Sequence, residues 1–238
     1  TVAILFFYKL LRLDYTANFS LGVIFLLLIF PVSFYFNAVY SESLFLMLIC
    51  GAFYFFRTKH FFWAFIFGFL ACLTRVFGVL IFISFLIDIY IYKIPIKKSF
   101  WVFLIPLGLI TYMIYLQNSV GDPLAFYNLQ LIVGEQHERG IVLFPQVIYR
   151  YIKILLNTDL TPLLTTVILE LAAGVLFFAL PIIGFFKKIR LSYLFFAFFG
   201  YLLPTIQGSF SSLPRYVLVL FPSFIILALM IKPLPKFI

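Results

Sequence analysis

Apolar residues run along this chain in unbroken stretches, with polar positions confined to the gaps between them. A helix needs about 20 residues to cross the hydrocarbon core of a bilayer. A truncated run precedes Lys9, and further runs lie near 19–36, 42–56, 60–74, 76–92, 99–116, 162–186, 191–206 and 216–231. Several reach spanning length only with their flanking Tyr, Ser and Thr. The 32 residues from Phe61 to Tyr92 are too many for one span. The interruption "TRVFG" (Thr74 to Gly78) carries a charge and a helix-weakening glycine, and is where the chain is expected to turn. A porin-like barrel would alternate apolar and polar residues, which these runs do not. The expected fold class is all-α, a polytopic transmembrane helical protein with about eight spans plus a truncated first one. No internal repeat or linker divides residues 1–238, so one multispan domain is expected. Because the chain begins at Thr1 inside an apolar run, it is also expected to be a fragment with at least one membrane segment upstream.

Alternating the spans sorts the cations by side. One side receives Lys9, Arg12, Arg57, Lys59, Lys93, Lys97, Lys98, Lys187, Lys188, Arg190, Lys232 and Lys236; the other receives Arg75, Arg139, Arg150, Lys153 and Arg215. Cytoplasmic loops are enriched in Lys and Arg, so the first side is read as cytoplasmic. On the second side the cations are met by Glu42, Asp122, Glu135, Glu138 and Asp159. That side also holds the long loop at about 117–161, which is expected to be structured. Asp122-Pro123 has the form of a helix start, with Asp as N-cap and Pro at the first helical position; Gly134 is a plausible stop. After Pro145, Gln146, Arg150, Lys153 and Asn157 share one helical face, opposite Val147, Ile148, Ile152 and Leu155. This is the pattern of an amphipathic helix lying in the membrane interface. Asn18-Phe19-Ser20 matches a glycosylation sequon but falls on the cytoplasmic side and is discounted.

Composition supports the membrane reading. Hydrophobic residues make up 65% of the chain and charged residues 11%, against about 25% charged in soluble domains; the mean hydropathy is +1.18. The net charge of +9 is explained by the cytoplasmic loops, and no nucleic-acid partner is expected. Cys50 and Cys72 fall inside spans and act there as small apolar residues. The expected location is an integral, multi-pass membrane protein, in the plasma membrane of a prokaryote or the endoplasmic reticulum membrane of a eukaryote.

Candidate chemistry gathers at the outer ends of the spans. Glu42, in "YSESLF" (Tyr40 to Phe45), lies at a helix start where the dipole favours a carboxylate, with Ser41 or Ser43 available to cap. Arg75 and Arg215 run against the positive-inside trend, and each is flanked by helix-breaking residues ("TRVFG" and "SSLPRY"). Ionisable groups at membrane depth usually face a cavity or a partner, and arginine suits bidentate recognition of phosphate. Arginines, a carboxylate and many aromatics together suit a phosphate-linked lipid carrying a polar sugar. Glu170, inside the span 162–186, can equally face a cavity or make a helix-packing hydrogen bond. His137, within "EQHE", is one histidine in an exposed loop, whereas a metal site needs three or more converging ligands; no metal is expected.

Four segments in order carry a resemblance. They are "FPVSFYFNAVYSESLFLML", "FGFLACLTRVFGVLI", "GDPLAFYNLQ" and "SLPRYVLVLFPSF". The matching residues are Phe30-Pro31, Ser33 and Phe36; Tyr40 to Phe45; Gly68, Leu70, Ala71, Thr74-Arg75 and Gly78; Gly121-Asp122-Pro123; and Pro214-Arg215-Tyr216. The chain resembles the GPI mannosyltransferase 2 (PIG-V type) family on these residues. The resemblance implies a GT-C fold and an inverting glycosyltransferase that moves a sugar, typically mannose, from a polyprenyl- or dolichyl-phosphate donor to an acceptor on the lumenal or extracytoplasmic face. The lipid-linked sugar is a co-substrate, and no cofactor is implied. Eukaryotic members act with a partner membrane subunit, which joins the lipid bilayer and the donor among the expected partners. In such enzymes a carboxylate serves as general base and cations stabilise the departing phosphate. The principal catalytic Asp usually follows the first span, and is expected to lie upstream of Thr1. That leaves Glu42 in a supporting role and Arg75 and Arg215 on the donor phosphate. Tyr40, Ser41, Ser43, Asp122 and Tyr216 are expected to line the site, with Asp122 acting mainly as an N-cap. The alternative is a transporter or flippase for a lipid-linked or anionic substrate. Transporters show repeat symmetry and midplane polar groups, whereas the polar features here gather at one surface.

The topology is testable. A cysteine placed near Gly134 in intact cells or sealed vesicles is expected to react with an impermeant maleimide from the non-cytoplasmic side. Labelling only after permeabilisation inverts the assignment.

Overall fold

Helices make up the regular structure, with no strand among the described residues. The computed structural model describes residues 2–128, 142, 144–157, 162–206 and 208–231. The expectations for Gly134, Glu135, His137, Glu138, Arg139, Asp159, Lys232 and Lys236 lie outside them.

The helices are α1 (Val2–Leu11), α2 (Ala17–Leu28), α3 (Glu42–Arg57), α4 (Phe61–Thr74), α5 (Val79–Ile91), α6 (Ile96–Ser99), α7 (Leu107–Val120), α8 (Phe144–Asn157), α9 (Pro162–Phe186), α10 (Leu191–Thr205), α11 (Leu213–Val217) and α12 (Phe221–Ile231), with 3-10 turns at Ser33–Phe36, Val76–Gly78 and Phe100–Leu104. Two continuous stretches, Ile96–Val120 and Leu164–Phe186, are long and apolar enough to cross a membrane; the other apolar helices are shorter.

The turn expected at "TRVFG" is present, because α4 ends at Thr74 and α5 begins at Val79. Three expected runs are broken. The run 19–36 is helical only to Leu28, the run 99–116 begins as a 3-10 turn, and the run 216–231 divides into α11 and α12. Each break lies beside a proline (Pro31, Pro106 and Pro222), which has no N–H to donate to the helical ladder.

Packing is dominated by phenylalanine. The Phe53 ring meets Phe85, Tyr193, Phe196 and Phe221 edge-on, with centroids 5.1 to 5.7 Å apart, and Phe56 stacks on Phe85 at 4.1 Å. Such pairs contribute about 0.5–1.5 kcal/mol each beyond their burial. They join α3 to α5, α10 and α12, while α4 and α1 flank α3 on its other sides.

Polar groups lie at the two ends of this core. At one end Arg57 Nη2 donates to Asp14 Oδ1 at 2.7 Å and Nη1 donates to the Tyr193 hydroxyl at 3.2 Å. Arg190 Nε donates to both oxygens of Asp88, at 2.9 and 3.1 Å, with its guanidinium 4.2 Å from the Tyr92 ring. Helices α3, α5 and α9 all finish at this end with a left-handed lysine: Lys59, Lys93 and Lys188 have φ of 65°, 49° and 54°. In each case the next residue donates back five positions, from His60 to Phe55, Ile94 to Ile89 and Ile189 to Gly184. A left-handed non-glycine residue is unfavourable by about 1–2 kcal/mol; here it satisfies an end carbonyl and places a cation at the negative end of the helix dipole. The cations gathered at this end, Arg57, Lys59, Lys93, Lys188 and Arg190, all belong to the set that the alternation of spans placed on one side.

Asp88 is 0% exposed. Arg190→Ala is therefore expected to strand a buried carboxylate and cost about 3–5 kcal/mol, read as a lowered thermal-unfolding midpoint in detergent. The double variant Asp88→Leu/Arg190→Leu is expected to recover most of that loss.

Candidate functional site

The opposite end of α3 begins at Glu42. The Ser41 carbonyl accepts the first helical hydrogen bond, from Phe45 N at 2.8 Å, and Glu42 takes the first-turn position where the dipole favours an anion. Glu42 is nevertheless 0% exposed, so a local reading of a cheap helix-end carboxylate is incomplete. A buried carboxylate needs cations or donors, and two arginines supply them.

Arg75 sits between α4 and the Val76–Gly78 turn with extended backbone, φ −151° and ψ 141°. Its carbonyl accepts from Gly78 N at 2.9 Å. A Cβ on Gly78 would lie 2.5 Å from the Ala71 carbonyl carbon and the Cys72 nitrogen, so this close return requires glycine. Extended backbone turns the Arg75 side chain toward α3. Its Nη2 donates to Glu42 Oε1 at 2.6 Å and its Nε donates to the Ser41 hydroxyl at 3.0 Å. Ser41 occupies the N-cap position but makes no capping hydrogen bond with its side chain; the capping expected of it gives way to the bond from Arg75. Ser43 is half-buried on the first turn.

Arg215 comes from α11, 173 positions from Glu42 in the chain. Ser212, with φ of 59°, is the N-cap of α11, and Pro214 follows in the first turn. The Arg215 Nε donates to the same Glu42 Oε1. Its guanidinium lies 4.2 Å from the Tyr40 ring centroid and 4.9 Å from that of Tyr35. Those rings meet edge-on at 5.2 Å, and Tyr216 meets Phe77 in the same manner at 6.1 Å.

The structure therefore brings Glu42, Arg75, Arg215, Ser41 and Tyr40 together. Asp122 is elsewhere occupied: it accepts from Leu124 N at 2.8 Å and from the Asn128 side chain at 2.7 Å, as an N-cap does. Tyr35 was missed by sequence reasoning; its only signal was the aromatic run "FYF" beside the matched Ser33 and Phe36. No group of three or more metal-ligating side chains occurs among the described residues.

Two arginines and one carboxylate leave the cluster with a net charge of +1. Both cations bind the same oxygen. Glu42 Oε2 and Arg75 Nη1 are buried without a hydrogen-bond partner among the described residues, and each unsatisfied buried group costs about 1–3 kcal/mol. The Arg215 side chain is 27% exposed, and its two Nη groups make no hydrogen bond among the described residues. Chemically the arrangement offers the partly exposed Arg215 guanidinium to an anion, beside two tyrosine faces. No protein-family model, curated protein or solved structure matches this chain.

Proposed function

We propose that this chain is a multi-pass membrane glycosyltransferase of the GT-C type, moving a sugar from a polyprenyl- or dolichyl-phosphate donor to an acceptor on the non-cytoplasmic face. The observation that carries this reading is the convergence of Arg75 and Arg215 on the buried Glu42, with net positive charge and an unengaged guanidinium edge. Phosphate is the anion that such a fork fits best. Large apolar side chains on several helices remain exposed, among them Phe25 at 62% and Phe186 at 78%. Exposure on that scale suits lipid contact rather than water, and a donor with an isoprenoid tail would approach from the same lipid.

The roles follow from the contacts. Arg215 takes the donor phosphate through its free Nη groups, and Arg75, tied to Ser41 and Glu42, holds positive charge behind it. Glu42 bonds both guanidinium groups through Oε1 and is itself buried, so it fixes the two arginines where they would meet the donor. It is assigned an orienting role, with proton removal left to another carboxylate. Mannose, and assembly with a partner subunit, rest on the family resemblance alone.

In nanodiscs the protein is expected to bind a polyprenyl phosphate in preference to the neutral polyprenol. Arg75→Ala and Arg215→Ala are each expected to weaken that binding by about 10- to 100-fold, the effect of losing one charge-assisted hydrogen bond, and to abolish sugar transfer while the protein stays monodisperse. Unchanged phosphate binding in both variants overturns the assignment. Vectorial movement of the lipid without transfer would replace it with the flippase reading.

A further inference from the structure

Glu170 lies in the apolar helix α9, 42 positions before Ser212. Its two oxygens have different partners. Oε1 accepts the backbone N–H of Ser212 at 2.9 Å, and Oε2 accepts the Tyr151 hydroxyl at 2.7 Å. The same hydroxyl accepts the Phe210 N–H at 3.2 Å. Burial pushes the Tyr151 phenol above its ordinary pKa, and the neighbouring Glu170 carboxylate raises it further. The hydroxyl thus keeps its proton and is the donor toward Glu170.

These bonds hold the short segment that delivers Arg215. Ser212 is in left-handed backbone, which a serine adopts only at some cost, and its carbonyl accepts the Arg215 N–H at 3.0 Å. Phe210 and Leu213, on either side, are 0% and 1% exposed. The segment is anchored on its other flank by α8. Phe144 stacks on Phe178 of α9 at 4.0 Å, and Tyr151 packs on Phe210 at 5.1 Å. Tyr151 is 5% exposed, although a purely interfacial helix would keep such a residue at the headgroups.

We infer that Glu170 is a positioning residue: with Tyr151 it holds the Phe210–Ser212 backbone so that α11 presents Arg215 to Glu42 and to an incoming phosphate. It acts through Arg215 and touches no substrate. The inference rests on the glycosyltransferase reading only where it invokes the phosphate, since the backbone restraint is independent of any ligand.

Hydrogen–deuterium exchange of the full chain in nanodiscs tests the restraint directly. Glu170→Ala is expected to speed exchange across 209–217 by about tenfold or more, the effect of releasing a charge-assisted hydrogen bond, while α3 and α4 stay protected. Tyr151→Phe is expected to act in the same place. Glu170→Gln, whose amide oxygen can still accept the Ser212 N–H, is expected to keep protection at 212–215. Unchanged exchange in Glu170→Ala, or a rise spread over the whole bundle, overturns the inference. Binding of a polyprenyl phosphate supplies the second arm. Glu170→Ala is expected to weaken it about tenfold in the wild-type background and to add nothing in an Arg215→Ala background, because residues acting through one another are non-additive. Equal loss in both backgrounds overturns the positioning role. Absence of phosphate binding in the wild type sinks the proposed function and leaves the exchange result to decide this inference.

Discussion

One buried carboxylate ties one end of the helical bundle together. Glu42 is sealed from solvent, so it must hold cations, and those cations come from 33 and 173 positions away in the chain. The junction of α4 with α5 and the start of α11 are therefore placed by the needs of the first residue of α3. With either arginine removed, Glu42 would still be paired with the other, so its charge stays matched while one charge-assisted hydrogen bond to Oε1 is lost. The obligation to pair Glu42, more than any propensity, accounts for the extended Arg75 backbone and the left-handed Ser212, which are the two irregular points beside the site.

Elsewhere the bundle relies on contacts with little direction. Dispersion and burial favour any arrangement that packs phenylalanine rings densely, and a helix turned or slid by one residue along its neighbour would still bury much of the same surface. The ion pairs remove that freedom. Along α3, Glu42 and Arg57 stand about 22 Å apart at 1.5 Å per residue, and each belongs to a polar cluster with partners from other helices. Pinning both ends of α3 fixes its register against α1, α4 and α10. The Asp88–Arg190 pair does the same for α5 and the start of α10.

The sequence made helix boundaries readable wherever an apolar run is bounded by charges, as at Arg57–Lys59 and Lys187–Arg190. It was less informative at Pro31, Pro106 and Pro222, where apolar character continues while the backbone loses a donor; a hydrophobicity pattern does not register a missing N–H. For the candidate site, sidedness alone put Glu42, Arg75 and Arg215 on one end, and the structure joins them. Ser41 shows why local rules fall short: a serine before a helix normally caps it, yet a guanidinium from another segment claims the hydroxyl here. Glu170 and Tyr151 could not be assigned from sequence because their partners, Ser212 and Phe210, lie 42 and 59 positions away. Those partners are backbone amides, which leave no trace in side-chain pattern.

The way the arginines meet Glu42 separates a structural clamp from a binding site. A guanidinium that serves only to neutralise a carboxylate gains most from a two-point, fork-to-fork contact that uses both oxygens. Here neither arginine makes one. Arg75 divides its donors between Ser41 and Oε1, and Arg215 reaches the same Oε1 through Nε, the nitrogen nearest its stem. Bonding through Nε leaves both Nη groups of Arg215 without a hydrogen bond among the described residues, while the guanidinium lies over the rings of Tyr35 and Tyr40. Stability is lost at Oε2 and at Arg75 Nη1, which remain buried without partners. What the arrangement retains is a fixed, partly exposed fork with charge to spare, and that is the geometry an anionic ligand requires of its receptor.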